Sequence, residues 1–157
     1  MLDTSTRAAA TDRIHEAAAD LQDTLVDLVD LSLQAKQLHW NVSGPLFKPL
    51  HELLDDFAAE YREWSDTVAE RLAAIQVAPD GRVATIGRDS LVEPLPAGRI
   101  ADRDVPHMLY DRLSGVTSRA RERMQRLGDV DLASQDVLVE IVRGLEKHKW
   151  MVDVQRS

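Results

Sequence analysis

Apolar residues recur at three- and four-residue steps in four stretches of the chain, with polar residues filling the other positions, which is the pattern of helices that each bury one face. The first stretch runs through Ile14, Ala17, Ala18, Leu21, Leu25, Leu28, Leu31, Ala35 and Leu38. It predicts a helix capped by Thr11 or Asp12 and ending near His39 to Asn41. The second carries Leu50, Leu54, Phe57, Tyr61, Trp64, Val68, Leu72 and Ile75, with Pro49 in its first turn. The third starts at Asp104 as cap with Pro106 behind it and carries Met108, Leu109, Leu113, Val116, Ala120, Met124 and Leu127 to a break at Gly128. The fourth begins after Asp131 and continues through Val137, Leu138, Ile141, Val142, Leu145 and Trp150.

The segments between these stretches organise them. Asn41, Gly44 and Pro45 make a short break, so the first two helices form a hairpin. Residues 77–104 are irregular, with Pro79, Gly81, Gly87, Pro94, Pro96 and Gly98. A connection of that length is an ordered crossover, as a bundle needs when its second and third helices run parallel. The expected fold is therefore all-α, a four-helix bundle in one domain over 1–157, with a long crossover between helices 2 and 3 and a flexible tail over 1–11.

The second helix carries a second pattern. At about 100° per residue, with His51 at zero, Asp55 falls at about 40°, Asp66 at about 60° and Glu70 at about 100°, while the apolar stripe lies between about 220° and 300°. The pair His51/Asp55 is centred roughly 22 Å along the axis from Asp66/Glu70, whereas a metal ligand sits only about 2 Å from its ion. One chain therefore cannot close both pairs on one ion. A second copy packed antiparallel about a two-fold axis near Tyr61 would set His51 and Asp55 of one chain against Asp66 and Glu70 of the other, giving two equivalent sites. His39, at the end of the preceding helix, reaches the same place. Mixed imidazole and carboxylate ligands suit iron, manganese or zinc better than calcium or magnesium. Each of these residues alone reads as an ordinary surface or cap residue; five in phase do not.

Composition narrows the function classes. With 19 basic and 27 acidic residues the net charge is −8, which repels nucleic acid and attracts cations. There are no cysteines, so disulfides and thiolate ligands are excluded, in keeping with a cytoplasmic protein. Neither a membrane span nor a signal-peptide apolar stretch is present, and the expectation is a soluble protein. His15 and His107 have no second ligand nearby in the pattern.

The runs KQLHWNVSGPLF, LHELLDDF and SDTVAERLAAI, with the closing DLASQDVLVEIVRGLEKHKWM, resemble the Dps family, the ferritin-like mini-ferritins also called DNA-binding proteins from starved cells. The resemblance covers almost the whole chain. It implies a ferritin-like four-helix bundle with a short extra helix around Ser90 to Glu93, two-fold dimers assembling into a dodecamer, and ferroxidase sites at the two-fold interfaces. In such sites, positions matching His39, His51 and Asp55 come from one subunit and those matching Asp66 and Glu70 from its partner, with iron as the metal. The implied activity is oxidation of Fe(II) by hydrogen peroxide or oxygen and storage of ferric mineral in the shell, protecting against oxidative damage. The resemblance further implies that acids following the ligand positions seed the mineral, here Glu52 and Asp56; Glu60 and Glu63, on the same helix stripe, are weaker candidates. Acids opening the last helix line an ion pore, here Asp131, Asp136 and Glu140, although helix capping alone explains them. Trp40 becomes an electron donor near the iron, while both Trp40 and Trp64 read first as packing residues.

The sequence departs from the family name on DNA. The first 13 residues hold only Arg7 and Arg13, and VDVQRS a single arginine, so DNA binding is expected to be weak or absent. Arg119, Arg123 and Arg126 form the one basic patch, read as a salt-bridged face because Glu122 lies among them. Among rival functions, a single-subunit ferritin site needs Glu-x-x-His pairs, and the chain has none. A metal-dependent hydrolase is the alternative at the same or a nearby metal, but HELLD only approaches HExxH and no nucleophile elbow occurs.

Overall fold

The computed structural model describes residues 4–156, with side chains from residue 13 onward. Helix α1 spans Thr4–Asn41, strand β1 Val42–Ser43, α2 Phe47–Ala74, α3 Val83–Asp89, β2 Ile100–Ala101, α4 Val105–Leu127 and α5 Leu132–Asp153. The four long helices are those the apolar repeat predicts, and their inward stripes meet in one core. Leu21, Leu28, Leu31 and Leu38 of α1 pack with Leu54, Phe57, Tyr61 and Leu72 of α2, Leu113 and Leu127 of α4, and Leu138 and Ile141 of α5.

Helix directions follow from which ends meet. β1, which leads into α2, pairs in parallel with β2, which leads into α4, so α2 and α4 start at the same end of the bundle and run parallel. The crossover over 77–104 makes this possible by returning the chain along the bundle. Arg71, near the end of α2, hydrogen-bonds Ser134 and Asp131 at the start of α5, so those two helices are antiparallel.

Several expectations change. The helix begins at Thr4, so the backbone expected as an irregular tail is helical from there, and the Thr11 or Asp12 cap lies within it. The side chains of Arg7, Thr11 and Asp12 lie outside the described residues. The short crossover helix ends at Asp89, ahead of the expected Ser90 to Glu93, because Ser90 turns to an extended conformation and its hydroxyl bonds Asp30 of α1. Ile14 and Trp150, read as core, are 43% and 64% exposed: residues 13–16 are exposed together ahead of Ala17, and Trp150 lies about 120° around α5 from Leu138, off the buried stripe.

The arginines of α4 are paired. Asp27 of α1, almost wholly buried, accepts hydrogen bonds from Arg119 Nε and Nη2, both at 2.9 Å, and from Arg123 Nη1 at 2.8 Å. Two α1 turns earlier Asp20 pairs with Arg126, and two turns later Gln34 accepts from the buried Arg112 Nε at 2.8 Å. Arg112 Nη2 also donates to the carbonyl of Pro94, tying the crossover to α4. A buried carboxylate shared by two guanidiniums holds the α1–α4 register, since a shift would leave charges unpaired away from water.

Removing one partner of such a cluster leaves the others uncompensated. Asp27→Ala is expected to cost about 3 kcal/mol of unfolding free energy, measured by urea denaturation. A loss within the error of the titration would show that Arg119 and Arg123 find water or Asp23 instead.

Candidate metal centre

The hairpin between α1 and α2 folds the end of one helix onto the start of the next, and its geometry is specified by a few residues. Gly44 has φ +135°, a conformation that residues with a Cβ avoid, and a Cβ there would lie 2.4 Å from the Asp102 carboxylate. Asp102 bonds the backbone N–H of Leu46 at 2.6 Å and that of Arg103 at 2.8 Å, and its own N–H donates to Ser43. The crossover therefore clamps the hairpin from outside, beside the β1–β2 pair.

Within that clamp His39 and His51 are stacked, with ring centroids 3.6 Å apart and planes 16° from parallel. His39 Nδ1 lies 2.7 Å from the carbonyl oxygen of His51, and His51 Nδ1 lies 2.8 Å from that of His39. A carbonyl oxygen only accepts, so each Nδ1 carries a proton, and Nε2 is the nitrogen whose lone pair each ring can present. Metal-bound histidines have this arrangement, in which the second ring nitrogen is anchored to a carbonyl and so fixes tautomer and orientation. Phe47 packs against His51 at 4.9 Å, and His39 is buried.

Asp55, one turn beyond His51, is exposed and forms an ion pair with Lys36 of α1. Its hydrogen bond to Lys36 holds its carboxyl below the usual carboxylate range against the opposing effect of burial, and the charges of Lys36, His39 and His51 add to this. Lys36 also sits 5.9 Å from the ring of Trp40. Trp40 is 67% exposed, which corrects its reading as a packing residue: it leaves α1 on the outer side of the hairpin. Trp64 does pack, half-buried against the core.

Asp66 and Glu70 are exposed farther along α2. Among the described residues, no group of three histidine, aspartate or glutamate side chains within the chain could hold a metal ion. The chain brings together His39 and His51 with Asp55 nearby, and holds Asp66 and Glu70 apart from them.

The remaining site residues divide. Glu52, Asp56 and Glu63 are exposed along α2, Glu52 within 3.7 Å of Lys48. Asp136 and Glu140 line one groove of about 550 Å³ with Glu60, Trp64, Arg143 and Lys147. Asp131 is not with them. Burial works to raise its pKa, but hydrogen bonds from Ser134 and Arg71 outweigh that and keep the carboxyl below its usual range. Its charge is taken up inside the chain. His15 and His107 are exposed, the latter 3.4 Å from Arg156 Nε.

Reading the sequence missed His148. It is buried, stacked on Phe57 at 3.8 Å, and bonded to Tyr61 and Glu60. Its signal was present, since it falls in step with Leu138, Ile141, Leu145 and Val152 on the apolar stripe of α5. Lys36 was also missed, although it stands one turn ahead of His39 and Trp40.

Comparison with known proteins agrees with this architecture. The model of the ferritin-like domain matches residues 18–156. The chain is 35% identical over 149 residues to DNA protection during starvation protein 2 of Deinococcus radiodurans, a match covering 95% of this chain and 62% of that protein's length. It is 36% identical over 134 residues to the DNA protection during starvation protein of Mycolicibacterium smegmatis, covering 84% of this chain and 72% of that one. The crystal structure of a Dps protein from Deinococcus radiodurans matches with a TM-score of 0.89 at 34% identity, over 91% of this chain and 87% of the other. The chain belongs to the Dps family of ferritin-like proteins.

Proposed function

We propose that this protein is a mini-ferritin ferroxidase that takes ferrous iron as substrate, oxidises it with hydrogen peroxide or oxygen, and stores the ferric product inside a closed shell of identical chains. The observation that carries this reading is the reciprocal anchoring of His39 and His51, which leaves two Nε2 atoms side by side where no complete ligand set forms among the described residues of one chain. The missing ligands are Asp66 and Glu70 of a two-fold partner. Imidazole retains affinity for Fe(II), and carboxylate stabilises the harder Fe(III), so the mixed site favours oxidation of the bound ion. Two ferrous ions give one electron each to a peroxide molecule, which takes up two protons and leaves as two waters. Consuming iron and peroxide together suppresses hydroxyl-radical formation, which is the protective effect. Glu52, Asp56 and Glu63 are the nucleation acids of this reading, and Asp136 and Glu140 its pore acids. Asp131 contributes less, because Arg71 neutralises it. Assembly is a dodecamer built from two-fold dimers, and the location is the cytoplasm.

DNA binding is weak or absent in this reading. Arg119, Arg123 and Arg126 are held by Asp27 and Asp20, Arg13 donates to the carbonyl of Asp129, and the chain carries −8 overall. The basic patch of α4 is thereby neutralised, and it offers little to displace counterions from phosphate. No helix among the described residues is long and apolar enough to cross a membrane.

His51→Ala and Asp66→Ala should each abolish rapid ferrous oxidation, followed as ferric absorbance. Subunit exchange between the two variants should restore part of it, because mixed dimers rebuild one intact site; wild-type rates in either variant would overturn the assignment. Lys36→Ala should tighten anaerobic ferrous binding by about two- to fivefold, the worth of an exposed ion pair that the metal otherwise displaces. Weaker binding would mean that Lys36 positions Asp55 instead of competing for it. Duplex DNA should run unretarded with the protein at moderate salt, and retention that depends on Arg7 and Arg13 would contradict the weak-binding reading.

A further inference from the structure

The core holds a chain of polar groups that the ferroxidase reading does not use. Tyr61 is completely buried, and its hydroxyl lies 3.1 Å from His148 Nδ1. His148 is 1% exposed, and its Nε2 lies 3.2 Å from Glu60 Oε2. Glu60 opens onto the groove that it shares with Asp136 and Glu140. Trp64 stands beside both rings, its centroid 5.7 Å from that of Tyr61 and 5.4 Å from that of His148. Space for its indole is left by Gly144, where a Cβ would come within 2.3 Å of the ring.

The protonation states follow from the surroundings. Burial, reinforced by the charge of Glu60, pushes the Tyr61 phenol well above its ordinary value, so it holds its proton. Burial pushes the His148 imidazole down, against the opposing pull of Glu60, so it is neutral. The carboxylate oxygen of Glu60 accepts, which places the imidazole proton on Nε2 and leaves Nδ1 to accept from the phenol. Any carbonyl would satisfy a buried phenol; an imidazole acceptor with a carboxylate behind it gives the proton a route to water.

We propose that Tyr61, His148 and Glu60 form a proton-coupled redox relay, with Trp64 as its electron entry, that quenches one-electron oxidants of the hydroxyl-radical class. In the step, an electron passes from the phenol through Trp64 to the oxidant, reducing hydroxyl radical to hydroxide. The phenolic O–H breaks as its proton moves to His148 Nδ1, and the Nε2 proton moves to Glu60 and on to the groove, where it neutralises the hydroxide. The net change is one phenol and one hydroxyl radical giving one neutral tyrosyl radical and one water. A ferrous ion then restores the phenol by giving one electron and becoming ferric, while one proton returns through Glu60 and His148. The source of oxidant, peroxide meeting a single ferrous ion, rests on the ferroxidase reading; the relay itself does not.

The test therefore uses metal-free protein oxidised by azide radicals in pulse radiolysis, with tyrosyl radical followed by absorbance and by electron paramagnetic resonance. The chain has two tyrosines, and Tyr61→Phe should remove about half or more of the tyrosyl yield, leaving what Tyr110 gives. His148→Gln should slow appearance of the radical by about a hundredfold, the lower range for a positioned proton acceptor. Glu60→Gln, at a partly exposed position that spares the fold, should slow it as well, and Trp64→Phe should delay entry of the electron. An unchanged yield in Tyr61→Phe, or unchanged rates in both His148→Gln and Glu60→Gln, would overturn the relay. Should the core variants not fold, the Glu60→Gln rate decides alone. Ferrous oxidation measured in parallel reports on the two-fold site, so loss of that activity with an intact tyrosyl signal would overturn the ferroxidase reading and leave the relay standing.

Discussion

Two hydrogen bonds, from His39 to the carbonyl of His51 and from His51 to the carbonyl of His39, are the constraint on which the proposed chemistry of this protein depends. They tie the last turn of α1 to the first turns of α2, so the hairpin that organises the bundle and the face that presents imidazole are one feature. Each bond engages Nδ1 and leaves Nε2 as the nitrogen that the proposed site would use. Each also stops a ring rotation that would cost affinity, because a ligand held in one rotamer and one tautomer loses little freedom on binding. The clamp from Asp102 and Gly44 acts on the same segment from the crossover, which is why a connection of such length is ordered at this end.

The distribution of charge follows a related logic. Arg119, Arg123 and Arg126 of α4 are held by Asp20 and Asp27 in the α1–α4 contact, where they fix register. Acids therefore dominate the exposed residues of α2 and the groove beside α5, and the net charge of −8 is carried on faces that a cation can reach. Lys36 pairs with Asp55 at the surface, a modest interaction that in the proposed site a divalent ion would have to displace.

Helix α2 serves two faces without conflict. Leu50, Leu54, Phe57, Tyr61, Val68 and Leu72 turn inward, and His51, Asp55, Asp66 and Glu70 lie on the other side. Between the two, Glu60 and Trp64 stand at the margin and connect the core histidine to the groove. Polar groups of this kind are tolerated in a core because every one is paired, and a half-satisfied chain would cost more than an apolar replacement.

By itself the sequence determined the four long helices, the parallel run of α2 and α4 implied by a long crossover, and the separation of the histidine and acid face of α2 from its packing face. Those features depend on the 3.6-residue period and on where glycine and proline interrupt it, and both are local. Asp104 and Pro106 mark the start of α4 and Gly128 its end for the same reason. Contacts between residues far apart in the chain carry no such period. The reciprocal bonding of two histidines, the pairing of Asp27 with Arg119 and Arg123, the withdrawal of Asp131 into an ion pair with Arg71, and the burial of His148 under Phe57 arise only when helices distant in sequence are packed together. Which side chains stay free to bind an ion was a decision of tertiary structure, because a hydrogen bond across the bundle removes a ligand as surely as a substitution does.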